Sequence, residues 1–190
     1  MKPVLLHSVS YPIVTTDIER VVMELCTGRP VAIPTETVYG LAADASNDEA
    51  VERVFALKQR PSTNPLIVHV VEETQVAEWA HAVTSRAQAL MQRFWPGPLT
   101  LVLPAKPHVS RIITAGQDTV ALRMPAHPMA QQLLARFGRG LVAPSANLYM
   151  SISPTSAQHV AQQFPNTSLM VLDGGECEIG LESTIISVLP

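Results

Sequence analysis

The chain has 190 residues, 47% of them hydrophobic and 15% charged, with a formal net charge of −3. Soluble domains usually carry ~25% charged residues, so this composition excludes a disordered chain and a highly charged nucleic-acid arm. One domain over 1–190 with a substantial core is expected, and a pI near 6.0 argues against a uniformly basic RNA-binding surface without excluding a local basic cleft.

Along the chain, short apolar runs alternate with amphipathic helices. Met1–His7 lacks a long apolar stretch, and no run approaches the ~18 residues of a membrane span, so a cytoplasmic chain without a membrane contact is expected. Thr16 and Glu19 have capping-box spacing, Ile18, Val21, Val22 and Leu25 recur at helical spacing, and Gly28 ends that helix. Val31–Ile33 reads as a buried strand. Ser46 or Asn47 caps a second helix with Val51, Val54 and Phe55 on one face. Leu66–Val71 reads as a continuous strand. A helix from Thr84 or Ser85 runs to Trp95 and stops at Pro96-Gly97-Pro98. Leu99–Leu103 and Thr119–Met124 are strands, and Pro128–Phe137 is a helix with Gly138 behind it. Leu141–Ala143 is a short strand. Ser153-Pro154 opens a helix to about Phe164, and Leu169–Leu172 and Ser183–Leu189 are the last strands. Strands interleaved with helices imply an α/β domain, and several connections too short for a helix imply a mixed sheet. Cys26 and Cys177 are far apart and lack CxxC partners, so both read as small buried hydrophobes rather than a disulfide or a metal site.

Four polar segments follow strands or helices, where open α/β sheets bind ligands. Pro34-Thr35-Glu36-Thr37-Val38-Tyr39-Gly40 offers two hydroxyls and a carboxylate. These grip an amino-acid ligand, position a metal, or simply cap a helix. Lys58-Gln59-Arg60-Pro61-Ser62-Thr63-Asn64-Pro65 places two cations at a helix end, in a chain with only three lysines. They serve the helix dipole or clasp a polyphosphate. His69, in the strand that follows, is either structural or a substrate contact. Arg123 lies inside the apolar strand from Thr119. It needs either a carboxylate from the chain or a ligand carboxylate, because a buried unpaired guanidinium is costly. Ala143-Pro144-Ser145-Ala146-Asn147 and Ser151-Ile152-Ser153-Pro154-Thr155 supply small donors for anion oxygens, or ordinary turn chemistry. The sequence contains no GxxxxGK[ST], no GxGxxG, no GxSxG and no HExxH. Aromatics at 5% are too few for a base-stacking RNA platform.

Taken together, eight segments in order resemble the YrdC/TsaC threonylcarbamoyl-AMP synthase family. They are Pro34–Leu41, Lys58–Pro61, Asn64–Leu66, Trp95–Thr100, Val120–Pro125 with His127-Pro128, Ser145–Asn147, Ser153–Thr155 and Glu182–Thr184. The resemblance implies an open twisted mixed sheet with flanking helices around a concave cleft. It implies that L-threonine, bicarbonate (or carbon dioxide) and ATP become threonylcarbamoyl-adenylate and pyrophosphate, for threonylcarbamoyladenosine on tRNA. Lys58, Arg60, Asn64, Thr119, Ser145, Asn147 and Ser153 would then hold ATP, with Lys58, Arg60, Ser145 and Asn147 closest to the chemistry. Arg123 would clamp the threonine carboxylate, and Thr35, Thr37, His69, Ser183 and the backbone near Ala143 would line the threonine pocket. Magnesium is expected on the phosphates, with no dedicated protein metal site. A weak tRNA contact and tRNA-modification partner proteins are further partners that the resemblance allows. A non-catalytic RNA-binding module on the same fold, and another carbamoyl-adenylate former, are the competing readings. Three departures stand out. Ala42 replaces a glycine, Tyr149-Met150 replaces Ser-Gly, and the family's Arg-Pro-Gly segment with its nucleotide-contacting arginine does not occur before Pro190.

Overall fold

Among the described residues, nine strands form one mixed sheet in the order β1-β8-β2-β3-β7-β4-β6-β5-β9. The structure is a computed structural model, and it describes residues 11–189. The reading of Met1–His7 lies outside these residues. In chain order the elements are β1 (Ile13–Thr15), α1 (Ile18–Cys26), β2 (Val31–Ile33), β3 (Gly40–Asp44), α2 (Asp48–Lys58) and β4 (Ile67–His69). A 3-10 turn then leads into α3 (Val76–Trp79), α4 (Ser85–Phe94), β5 (Leu99–Pro104), α5 (Arg111–Thr114) and β6 (Thr119–Arg123). The chain ends with α6 (Pro128–Phe137), β7 (Leu141–Val142), α7 (Ala157–Gln163), β8 (Met170–Leu172) and β9 (Thr184–Ser187). No helix among the described residues is long and apolar enough to cross a membrane.

Local chemistry explains most boundaries. The Asn47 side chain accepts from the Ala50 amide and starts α2, and Thr84 does the same for α4 through Ala87. α6 starts with Pro128 in its first turn and stops at Gly138, whose φ of 73° suits a residue without Cβ. Four expectations are corrected. Asp17, not Thr16, caps α1, its carboxylate accepting from the Arg20 amide. The last helix starts at Ala157 behind Ser156, because the Pro154 carbonyl is taken by the Tyr39 amide at 2.8 Å. The strand expected over Leu66–Val71 pairs only from Ile67 to His69. Cys26 is exposed and Cys177 half-buried, both as free thiols. β1, β3, α3 and α5 carry too weak a pattern to be read ahead of the structure.

β3 joins two halves of the sheet. Its first three residues pair antiparallel with β2, and Ala43 and Asp44 pair antiparallel with β7. In β8, β2 and β3 both faces are covered, while β1 at the edge stays exposed. Val31 and Ile33 pack with Val21, Leu25, Leu133 and Phe137 of α1 and α6, while Ala32 points to the other cluster with Val51, Val54 and Phe55 of α2. Beyond β7 the coverage becomes one-sided. Val68, Leu122 and Leu101 point into the core and are fully buried. Their neighbours Ile67, Ala121 and Val102 point to the opposite face and are only half-buried. The period of two along these strands therefore separates a packed face from an open one. The open face is the floor of a cleft.

Candidate active site

A cavity of about 380 Å³ lies on this uncovered face. Its floor is set by strand register. Ile67 stands beside Ala121, His69 beside Arg123, and Arg123 beside Thr100. Ser183 closes the far side, its hydroxyl 2.8 Å from that of Thr100. The near wall is the turn between β2 and β3 together with the segment after β7. Thr35, Thr37, His69, Arg123, Ala143 and Ser183, the six residues read as threonine-side, all line this cavity. Arg60 and Ser145 from the nucleotide-side set join them.

The wall turn is built on Thr35. Its hydroxyl donates to the Val38 carbonyl at 2.6 Å and accepts from the Thr37 and Val38 amides at 3.2 Å. It also lies 2.8 Å from the Thr37 hydroxyl. One small polar side chain thus satisfies a buried turn that lacks secondary-structure partners. The turn is tied to two other segments. The Leu41 amide donates to the Pro144 carbonyl at 2.6 Å, and the Ala146 amide to the Tyr39 carbonyl at 2.7 Å. The Ile179 and Gly180 amides donate to the Glu36 and Thr37 carbonyls at 2.8 and 3.0 Å. A Cβ at Gly40 would stand 3.1 Å from Ala143 Cβ, so a side chain there would press the two walls apart.

Of the other nucleotide-side residues, Lys58, Asn64, Thr119, Asn147 and Ser153 do not line this cavity. Lys58 is buried, and its ammonium donates to the Ser145 carbonyl and, at 2.7 Å, to the Asn147 carbonyl. Asn147 in turn donates to the Leu148 and Ser151 carbonyls at 2.9 and 2.7 Å. The pair therefore braces the loop that presents Ser145. Burial, helped by the nearby Arg60 charge, pushes the Lys58 ammonium down to about 8. The Ser153 hydroxyl donates to the Glu182 carboxylate at 2.7 Å, at the cavity rim. The Thr119 hydroxyl meets Gln117 at 3.3 Å at the far end of β6, and Asn64 is half-buried in the loop before β4.

Two buried nitrogens on the cavity's own residues lack partners among the described residues: Arg60 Nε and His69 Nδ1. Arg60 otherwise donates only from Nη2 to the Pro65 carbonyl at 3.2 Å. His69 is held neutral. Burial, reinforced by the Arg123 charge, pushes it down to about 3. Buried polar atoms are normally paired, so two orphans around one hollow point to a polar occupant.

The residue that the sequence reading left without a fixed role is Glu36. Its carboxylate accepts from Arg123 Nη2 at 2.6 Å, and both side chains are buried. Arg123 therefore has the carboxylate its apolar strand demanded, supplied from 87 positions away. Only the requirement for a partner was visible in the sequence. The choice among the chain's 16 carboxylates was not.

Comparison with known proteins places the chain in a family. The Sua5/YciO/YrdC family model, described as "Telomere recombination", matches residues 24–190. The chain is 51% identical over 161 residues to a threonylcarbamoyl-AMP synthase of Pyrococcus abyssi (strain GE5 / Orsay), covering 85% of this chain and 47% of that relative. It is 35% identical over 167 residues to one of Vibrio vulnificus (strain YJ016), covering 87% of this chain and 88% of that relative. The solved structure of P. abyssi Sua5 complexed with L-threonine matches with a TM-score of 0.88 at 45% identity, over 95% of this chain and 54% of that one. The chain spans about half the length of its Pyrococcus, Bacillus and Schizosaccharomyces relatives.

Proposed function

The chain belongs to the Sua5/YciO/YrdC family, and from that premise we propose that it makes threonylcarbamoyl-adenylate. Its substrates in this reading are L-threonine, bicarbonate (or carbon dioxide) and ATP. The observation that carries the reading is the convergence in one cavity of Arg60, Arg123 and His69, with the unpartnered nitrogens of Arg60 and His69. An amino acid and a nucleotide both present oxygens that such donors satisfy.

The chemistry asks for positioning and charge neutralisation, not for an enzyme nucleophile. Threonine and bicarbonate give the carbamate with loss of water. A carbamate oxygen attacks the α-phosphorus, the bond to the bridging oxygen breaks, and pyrophosphate leaves with the electron pair. Arg123 receives the threonine carboxylate, and Thr35, Thr37, Ala143 and Ser183 fix the remainder of the amino acid. Neutral His69 accepts or donates a hydrogen bond without adding charge. Arg60 and Ser145 face the phosphates, Lys58 and Asn147 hold the loop carrying Ser145, and Asn64, Ser153 and Thr119 flank the nucleotide side. Magnesium, when bound with ATP, would supply charge neutralisation on the phosphates, and Glu182 is the residue of the cavity wall that could hold it. That one carboxylate suits an ion that keeps mostly phosphate and water ligands. The product serves tRNA modification, and the cytoplasm is where these substrates meet.

The test is direct. Purified protein releases pyrophosphate from ATP only when L-threonine and bicarbonate are both present. Arg123→Ala cuts the threonine-dependent rate at least tenfold, mainly through threonine affinity. Folded protein that releases no threonine-dependent pyrophosphate rules the reading out.

A further inference from the structure

We propose that Glu36 is a positioning residue, which acts on the amino-acid substrate through Arg123 without touching it. The inference rests on the functional reading above, because it concerns how the same cavity recognises its carboxylate ligand.

The Arg123 guanidinium is held at two of its three nitrogens. Nη2 donates to Glu36 at 2.6 Å, and Nε donates to the Gly97 carbonyl at 3.3 Å. Nη1 has no protein partner among the described residues, while Arg123 lines the cavity. Glu36 itself is not part of the cavity lining. Its second oxygen accepts from the Ala126 amide at 2.9 Å, so both carboxylate oxygens are engaged. With each oxygen already holding a donor and its side chain outside the cavity lining, Glu36 meets the ligand only by way of the arginine. It stands behind the arginine and aims it.

The two ends of this relay come from different parts of the fold. Glu36 sits in the turn between β2 and β3, and its own carbonyl is gripped by the Ile179 amide at 2.8 Å. Arg123 ends β6, and Gly97 belongs to the segment before β5. A buried ion pair is a poor source of stability, since an apolar pair of similar volume does as well. An arginine that must present one nitrogen to a small carboxylate gains from being fixed, because misplacement by about 1 Å is enough to cost ~100-fold in rate.

Two substitutions separate aim from charge. Glu36→Asp keeps the charge and shortens the reach, whereas Glu36→Gln keeps the length and removes the charge. Aiming predicts that both weaken L-threonine binding to the full chain about tenfold or more by calorimetric titration, with ATP affinity changed less than twofold. In both variants the Arg123 Hε proton, followed by NMR without ligand, exchanges faster than in the wild type. A role through charge alone predicts the opposite pattern: Glu36→Gln binds threonine more tightly, and Glu36→Asp matches the wild type. That pattern overturns the proposal, as does a lowered melting temperature with unchanged threonine affinity, or an equal loss of threonine and ATP binding. A wild type that binds threonine beside unaffected variants sinks the role of Glu36 alone. A wild type that binds no threonine sinks the functional reading as well.

Discussion

His69 faces Arg123 in the parallel register of β4 and β6 and is fully enclosed. Burial and the arginine charge hold its folded pKa at about 3, against an ordinary 6.5. Between pH 6.5 and pH 3 the unfolded chain carries a proton on this ring that the folded chain does not. Stability therefore falls as the pH drops through that window. Urea unfolding at pH 7 and pH 4.5 should show the wild type losing about 2 kcal/mol more than His69→Gln, a variant without the titrating ring. Equal losses refute the assignment. The same scale shows how far single residues were legible. Thr35, Thr37, Arg123 and Ser183, which the family resemblance puts on the threonine side, line one cavity, whereas their residue types alone also suit caps and ion pairs. The sequence leaves Lys58 either serving the helix dipole or clasping a polyphosphate. Its ammonium instead meets the carbonyls of Ser145 and Asn147, backbone acceptors brought there by a segment 87 to 89 positions away. No side-chain pattern announces a carbonyl.

Elements were legible where their ends were chemically marked. α6 runs from Pro128 to Phe137 as its proline and glycine dictate. β3 carried no such mark. Gly40-Leu41-Ala42-Ala43-Asp44 is buried along its whole length, so neither alternation nor β-branching identifies it. The Ser153-Pro154 helix start failed for the complementary reason: Tyr39, in the distant turn between β2 and β3, claimed the Pro154 carbonyl. The turn before β5 gives the prediction at this scale. The Gly97 amide donates to the Met124 carbonyl at 2.8 Å, and a Cβ at Gly97 would stand 2.3 Å from the Phe94 carbonyl oxygen. Backbone cannot step aside as a flexible side chain can. Gly97→Ala should lower unfolding free energy by about 2 kcal/mol, and should also shift the carbonyl that holds Arg123 Nε, weakening threonine binding. Gly40→Ala, whose nearest neighbour is a Cβ at 3.1 Å, should cost less. Denaturant midpoints for the two variants decide the order.

At the scale of the molecule, composition was informative about what is absent and silent about position. A net charge of −3 gave no hint that Arg60 and Arg123 share one hollow. That hollow draws its walls from both halves of the sheet: Thr35 and Thr37 from the β2–β3 turn with Gly40 at the start of β3, and Ile67, His69, Ala121 and Arg123 from β4 and β6. Occupants that bind only the folded chain raise its stability by mass action. L-threonine at about 100 times its dissociation constant should add ~2.7 kcal/mol, and ATP a further increment of its own, read as a concentration-dependent rise in melting temperature. A melting temperature that does not respond to either compound contradicts the site.

The junction in β3 has a mechanical consequence. Gly40–Ala42 belong to one panel of the sheet and Ala43–Asp44 to the other, so along the hydrogen-bonded ladder the panels are coupled in series through this five-residue strand. A series coupling is as stiff as its softest member. A molecule seated in the cavity touches both panels and adds a connection in parallel with that strand and with the two apolar clusters that span both panels. The loaded protein should therefore resist shear between the panels more than the empty one, and the stiffening comes from where the ligand sits rather than from how tightly it is held.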